Sequence, residues 1–139
     1  MAVAETFDDL VGAARAARDK GEPAEAEALY RRAATFAESQ GLPVALAFAR
    51  RHISDLARLR GAPNEALDTA QAAAEAYRRV VVARTLDLAN ALRLTALALT
   101  DLARMEEARS AWREAGVLYE ACGVQAGVDE CAARLKPTD

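Results

Sequence analysis

The sequence predicts an all-α protein in which antiparallel helix pairs stack as a superhelix. Three observations carry that prediction. First, a stretch recurs. Gly21-Glu22-Pro23-Ala24-Glu25-Ala26 is followed by Ala33; Gly61-Ala62-Pro63-Asn64-Glu65-Ala66 is followed by Ala73; Arg104-Met105-Glu106-Glu107-Ala108 is followed by Ala115. Ala26, Ala66 and Ala108 lie 40 and then 42 residues apart, and a fixed period of this size marks a repeat architecture. Second, the chain is 53% hydrophobic but only 5% aromatic, so its apolar mass is chiefly alanine and leucine, the best helix formers. Third, valine, isoleucine and threonine are sparse and never alternate with polar residues over a sustained run, which argues against a sheet.

The first helix opens at Thr6, where Thr6 and Asp9 form a threonine-x-x-acid capping pair. Phe7, Leu10, Val11, Ala14 and Ala17 then recur at helical spacing, and Asp19-Lys20-Gly21 ends the run. Pro23 starts a second helix to about Ser39, with Ala26, Leu29, Tyr30, Ala33 and Ala37 on one face. Gly41-Leu42-Pro43 stops it and opens a third, to about Arg60, with Leu46, Ala49, Ile53, Leu56 and Ala57 inward. Gly61-Ala62-Pro63 opens a fourth, with Ala66, Leu67, Ala70, Ala73, Ala74 and Tyr77 inward.

No glycine or proline occurs from Asn64 to Ala115. The period requires a turn near Val80–Thr85, where three valines lower helix propensity; a continuous or swapped helix is the alternative. A fifth helix follows from about Thr85 to Leu102, and a sixth from about Met105 to Ala121, with Trp112 and Tyr119 inward. Gly123 ends the sixth, and a short helix at about 127–135 caps the open end of the stack. The repeats thus fall at about 6–41, 43–82 and 85–123 within one domain of 139 residues.

A net charge of −3 and a pI near 5.3 lower the expectation of nucleic-acid binding. Sixteen of the eighteen basic residues are arginine, whose planar fork suits carboxylates better than lysine does. Met1-Ala2-Val3-Ala4-Glu5-Thr6 lacks the pattern of a secretory signal, and no apolar run reaches the roughly 18 residues of a membrane span. Cys122 and Cys131 make no disulfide framework and no paired Cys-x-x-Cys motif, so both are expected to be buried thiols of a cytoplasmic protein, with a bridge between helices as the lesser reading.

The repeated unit resembles the tetratricopeptide repeat. Ala14, Ala26 and Ala33 fit the small crossing positions of a first repeat, with Gly21 at the turn and Tyr30 at the aromatic position. Ser54, Ala66 and Ala73, with Gly61, fit a second; Ala96, Ala108 and Ala115, with Trp112, fit a third. The period is similar to the longer variant of about 42 residues, found in kinesin light chains and bacterial regulatory and adaptor proteins, rather than the common 34. The usual first-helix tryptophan and glycine are absent, and Ala70 replaces the second aromatic. HEAT-like and 14-3-3-like helical pairs are the competing architectures.

The resemblance implies a right-handed superhelix, and a non-catalytic adaptor that binds a peptide or protein segment in a concave groove lined by the first helix of each pair. Carried over by register, the groove positions are Asp8, Val11, Arg15 and Arg18; Phe48, Arg51, Asp55 and Arg58; and Asn90, Arg93, Leu97 and Thr100. The arginines would form a wall for an acidic partner, with Asn90 free to bond a peptide backbone. The competing expectation is a solvated face: Arg15 and Arg18 paired with Asp8 or Asp19, and Arg51 and Arg58 with Asp55, within each helix. The family's lysine-and-asparagine clamp for a terminal carboxylate is not reproduced.

Neither a cofactor nor a metal is expected. The one histidine, His52, lacks ligand spacing and is expected to be a polar residue on a helix face. Asp8-Asp9 and Glu106-Glu107 sit at helix starts, where acids favour the macrodipole. With no glycine-rich phosphate loop or nucleophile motif, no enzyme is expected either. The alternative function is a homo-oligomerisation module, pairing as a homodimer through Val80, Val81 and Val82, or a piece of a larger regulator.

Overall fold

The computed structural model describes residues 5–137. The N-terminal stretch read for a leader, Met1–Ala4, lies outside them. Among the described residues every regular element is a helix: α1 (Phe7–Asp19), α2 (Pro23–Ser39), α3 (Pro43–Leu59), α4 (Pro63–Arg79), α5 (Thr85–Asp101), α6 (Met105–Cys122) and α7 (Gln125–Leu135). Each packs against the next, and α3 also meets α5, the arrangement of a helical-repeat superhelix closed by a C-terminal helix.

Local chemistry sets each helix end. At the start of α1 the Asp9 amide donates to Thr6 Oγ1 at 3.1 Å and the Thr6 amide donates to Asp9 Oδ2 at 3.1 Å. This capping box contributes about 1 kcal/mol. Helices α2, α3 and α4 each begin with proline and run 17 residues. Three-residue links join α1 to α2, α2 to α3, α3 to α4 and α5 to α6, and each has one residue at positive φ: Gly21, Gly41, Gly61 and Ala103. In each, that residue and the next donate backbone hydrogen bonds into the last turn of the preceding helix; Gly61 donates to Arg58 and Ala62 to Ala57. The carbonyls left open at a helix end are thereby satisfied. The α4–α5 link, Val80–Arg84, has five residues. Its two extra residues turn the 40-residue spacing of the alanines into 42, and in the single chain it stands where a continuous helix was the alternative.

Ala103 holds φ +58 where its counterparts are glycine. A side chain in the left-handed region costs roughly 1–2 kcal/mol. Ala103→Gly is therefore expected to raise stability by about 1 kcal/mol, after the larger entropy loss of glycine, and the thermal midpoint by about 4 °C. Thermal unfolding followed by circular dichroism checks this; a lowered midpoint contradicts it.

The core is built on alanine crossings. Ala14, Ala26, Ala33, Ala66, Ala73, Ala96, Ala108 and Ala115 are all fully or almost fully buried. Ser54, the one polar member of the predicted crossing set, donates from Oγ to the Ala66 carbonyl at 2.7 Å, so its burial leaves no polar group unpaired. Leu10, Val11, Tyr30, Ile53 and Leu56 fill the first half of the core. Tyr77, Leu92, Leu97, Trp112 and Tyr119 fill the second.

Helix α7 starts at Gln125 rather than near Gly127. Gly123, at φ +70, supplies the break, whereas Gly127 lies inside the helix because its backbone rides on the Tyr119 ring. By register Asp129 and Lys136 correspond to Ala89 and Ala96 of α5. Those alanines are buried, but Asp129 and Lys136 are exposed, so the apolar pattern stops at α7 as a cap requires. Cys131 is buried as expected, but Cys122 is exposed, and both are free thiols. Cys122 is the last residue of α6, where the chain turns outward into the link. No helix among the described residues is long and apolar enough to cross a membrane.

Candidate functional site

The first helices of the pairs, α1, α3 and α5, line up with α7 on one face, and ion pairs tie them together. Arg18 Nη2 meets Asp55 Oδ2 at 2.5 Å, Arg51 Nη1 meets Asp87 Oδ1 at 3.1 Å, and Arg58 Nε meets Asp101 Oδ2 at 2.6 Å. Arg93 makes a two-pronged contact with Glu130 of α7. The local pairing expected within each helix is therefore not what forms. Each arginine reaches a carboxylate 36 to 43 residues further on, one repeat away. The second helices show the same habit: Arg31 meets Glu65 at 3.3 Å and Arg78 grips Glu114 with bonds of 2.7 and 2.8 Å. These arginine bonds hold the Glu114 and Glu130 carboxyls below the ordinary carboxylate range.

Between these bridges lies a hollow of about 240 Å³. Arg18, Arg51 and Arg93 face it with a single carboxylate, Asp55; His52 and Asn90 complete its polar lining. A neighbouring hollow of about 340 Å³ shares Asn90 and Arg93 and extends to Tyr119 and Gly127. A larger one, about 550 Å³, lies between α1 and α2 beside Phe36 and Leu10, away from every predicted groove residue.

Arg15 lies outside the lining of the hollow, against Phe48. It is exposed, its guanidinium lies 5.6 Å from the centre of the Phe48 ring, and no carboxylate pairs with it among the described residues. Arg51 approaches the same ring, at 5.8 Å. Such contacts hold a cation in place without neutralising it. Phe48 also tilts over His52 at 4.7 Å, and His52 stacks almost parallel on Tyr30 at 4.6 Å. His52 is thus the middle ring of an aromatic stack rather than an ordinary polar residue on a helix face. Burial, and next the charges of Arg51, Arg18 and Arg15, lower its pKa from 6.5 to about 4, against a smaller opposing pull from Asp55.

Not every predicted groove position faces the hollow. Leu97 is buried at 3% exposure and Val11 at 6%, so both belong to the core. Helix α5 is enclosed by α3, α4 and α6, which leaves Leu97 no open side. Thr100 turns its hydroxyl back to the Ala96 carbonyl at 2.8 Å, and Asp8 is exposed at the start of α1. The Asn90 carbonyl oxygen accepts a 2.7 Å bond from the Tyr119 hydroxyl, so that atom is already engaged. Beneath the face, Arg51 Nε and the Tyr77 hydroxyl are buried without a hydrogen-bond partner among the described residues.

Sequence reasoning missed Asp87, Asp101 and Glu130 as partners of the arginines, although each lies about one repeat length downstream. It also missed a clasp on the other side, where nearly buried Glu27 accepts from Arg31 and Arg60, and both arginines also reach Glu65. Arg60, the strongest influence, and Arg31 keep the Glu27 carboxyl ionised to lower pH than usual, against its burial.

These features define a class: a helical-repeat protein whose like helices are cross-tied by arginine–carboxylate bridges around a cationic hollow. Compared with protein-family models and with curated proteins, the sequence matches no family model and none of the curated proteins.

Proposed function

We propose that the chain is a tetratricopeptide-type adaptor of non-catalytic function, binding an acidic segment of a peptide or protein on the face of α1, α3, α5 and α7. One observation carries this reading: three arginines and one carboxylate line the 240 Å³ hollow, and Arg15, which has no carboxylate partner among the described residues, lies against Phe48, the ring that packs on His52. The bridges engage only some of the donors of each guanidinium, and a guanidinium has five. An acidic side chain entering it meets fixed donors in a partly desolvated setting, where charge-assisted bonds are strongest.

Arg15 is the residue to test. Arg51 and Arg93 are tied to Asp87 and Glu130, so reversing their charge would set like charges together and disturb the stack. Arg15 bears on no bridge. Arg15→Glu is expected to reduce capture of the partner from native cell extract by about tenfold, the equivalent of 1.4 kcal/mol. Arg113→Glu, on the exposed side of α6, is expected to leave capture unchanged. Equal capture by both variants, each with native circular dichroism, refutes the reading.

A further inference from the structure

The α4–α5 link differs from the other five in kind. Each of the others, the α6–α7 link included, turns on a left-handed residue and returns two backbone hydrogen bonds to the preceding helix. Val80–Arg84 has no left-handed residue, and Val80 to Ala83 make no such turn bond. Val81 is fully exposed and Val82 is 77% exposed. The reversal of chain direction here is held by the packing of α4 on α5 and by Asp87, which takes both Arg51 and Arg84.

A link of this composition can also run straight. No glycine or proline lies between Asn64 and Ala115, so nothing in the sequence breaks a helix that runs through the link. Straightening would separate α1–α4 from α5–α7 of the same chain and expose the core faces of both. A second chain in the same state offers the missing halves, so every contact between α4 and α5 is recovered, now between chains. The two straightened links would then meet at the two-fold axis, where each chain's Val81 and Val82 cover those of the other. The closed form leaves these side chains in water.

We propose that a second copy of this chain is the partner of the Val80–Arg84 link, and that two chains exchange α5–α7 through it. The exchange is favoured by concentration and slow to reverse, because each reversal requires α4 to release α5. It stands apart from the groove reading: Arg15 plays no part in it.

Light scattering on a sizing column tests the exchange. Refolded at high concentration, the native chain is expected to give a species of twice the monomer mass that survives dilution for hours. Val81→Gly with Val82→Gly, which favours the bend over the helix, is expected to lose that species and keep a native monomer. Deleting Val80–Ala83 leaves one link residue where the other links use two or three, and is expected to give dimer alone. A native chain that stays monomeric, or whose dimer dissociates promptly on dilution, overturns the proposal. A double-glycine variant that dimerises like the native chain overturns it too, whether or not the deletion variant folds.

Discussion

His52→Phe will flatten the dependence of stability on pH between 6.5 and 4. The native histidine is held at a pKa of about 4 by burial and by Arg51, Arg18 and Arg15. The unfolded chain, with its histidine near 6.5, binds more protons across that window, so stability rises with pH through it. The contribution is fully present above about pH 6.5 and is lost as pH falls toward 4. At 1.36 kcal/mol per pKa unit the whole window is worth about 3 kcal/mol, of which about 2 kcal/mol is gone by pH 5. Phenylalanine keeps the flat ring between Tyr30 and Phe48 but takes up no proton. Below pH 4.5 both proteins lose stability together, since Glu27, Glu114 and Glu130, with lowered pKa values, must then be protonated. Urea unfolding at pH 7 and pH 5 separates the two proteins, and equal losses on going to pH 5 would show that His52 is not the group concerned.

Gly127→Ala and Gly12→Ala are expected to move stability in opposite directions, although both replace a helical glycine. At Gly12 an added Cβ meets nothing within 4 Å, so alanine's helix propensity acts alone and stabilises by about 1 kcal/mol. At Gly127 the Cβ would lie 2.4 Å from Cγ of Tyr119 and within 2.6 Å of both Cδ atoms. That ring is buried at 3% exposure and its hydroxyl is tied to Asn90, so it cannot swing aside. Overpacking costs about 1–3 kcal/mol, which outweighs the propensity gain. The strain is relieved by lifting α7, which also pulls Glu130 from Arg93. The readouts are a lower urea midpoint and faster amide exchange across Val128–Leu135. An unchanged exchange pattern would mean that α7 does not ride on Tyr119 as described.

The helices were legible in the sequence because their ends are written in local chemistry. Gly-x-Pro at residues 21, 41 and 61 states both a stop and a start, and α2, α3 and α4 begin at the predicted prolines. Gly127 misled because one residue type serves two ends. It resembles a breaker, yet here it permits close approach of a helix to a ring. The partners of the arginines were illegible for a different reason. Pairing three or four residues away is a property of one helix, whereas Arg51 and Asp87 meet only once two repeats are stacked. His52 likewise showed nothing locally, since Tyr30 reaches it from another helix.

The bridges between like helices also have a direction. In Arg18–Asp55, Arg51–Asp87, Arg58–Asp101, Arg93–Glu130, Arg31–Glu65 and Arg78–Glu114, the cation always belongs to the earlier repeat. Alanine crossings alone would fit any repeat against any other, much as identical bricks do. The one-way charges remove part of that freedom: a repeat placed upside down would set arginine against arginine. The chain thus writes a reading direction into each repeat, and an inverted repeat would keep its helices and lose the grammar.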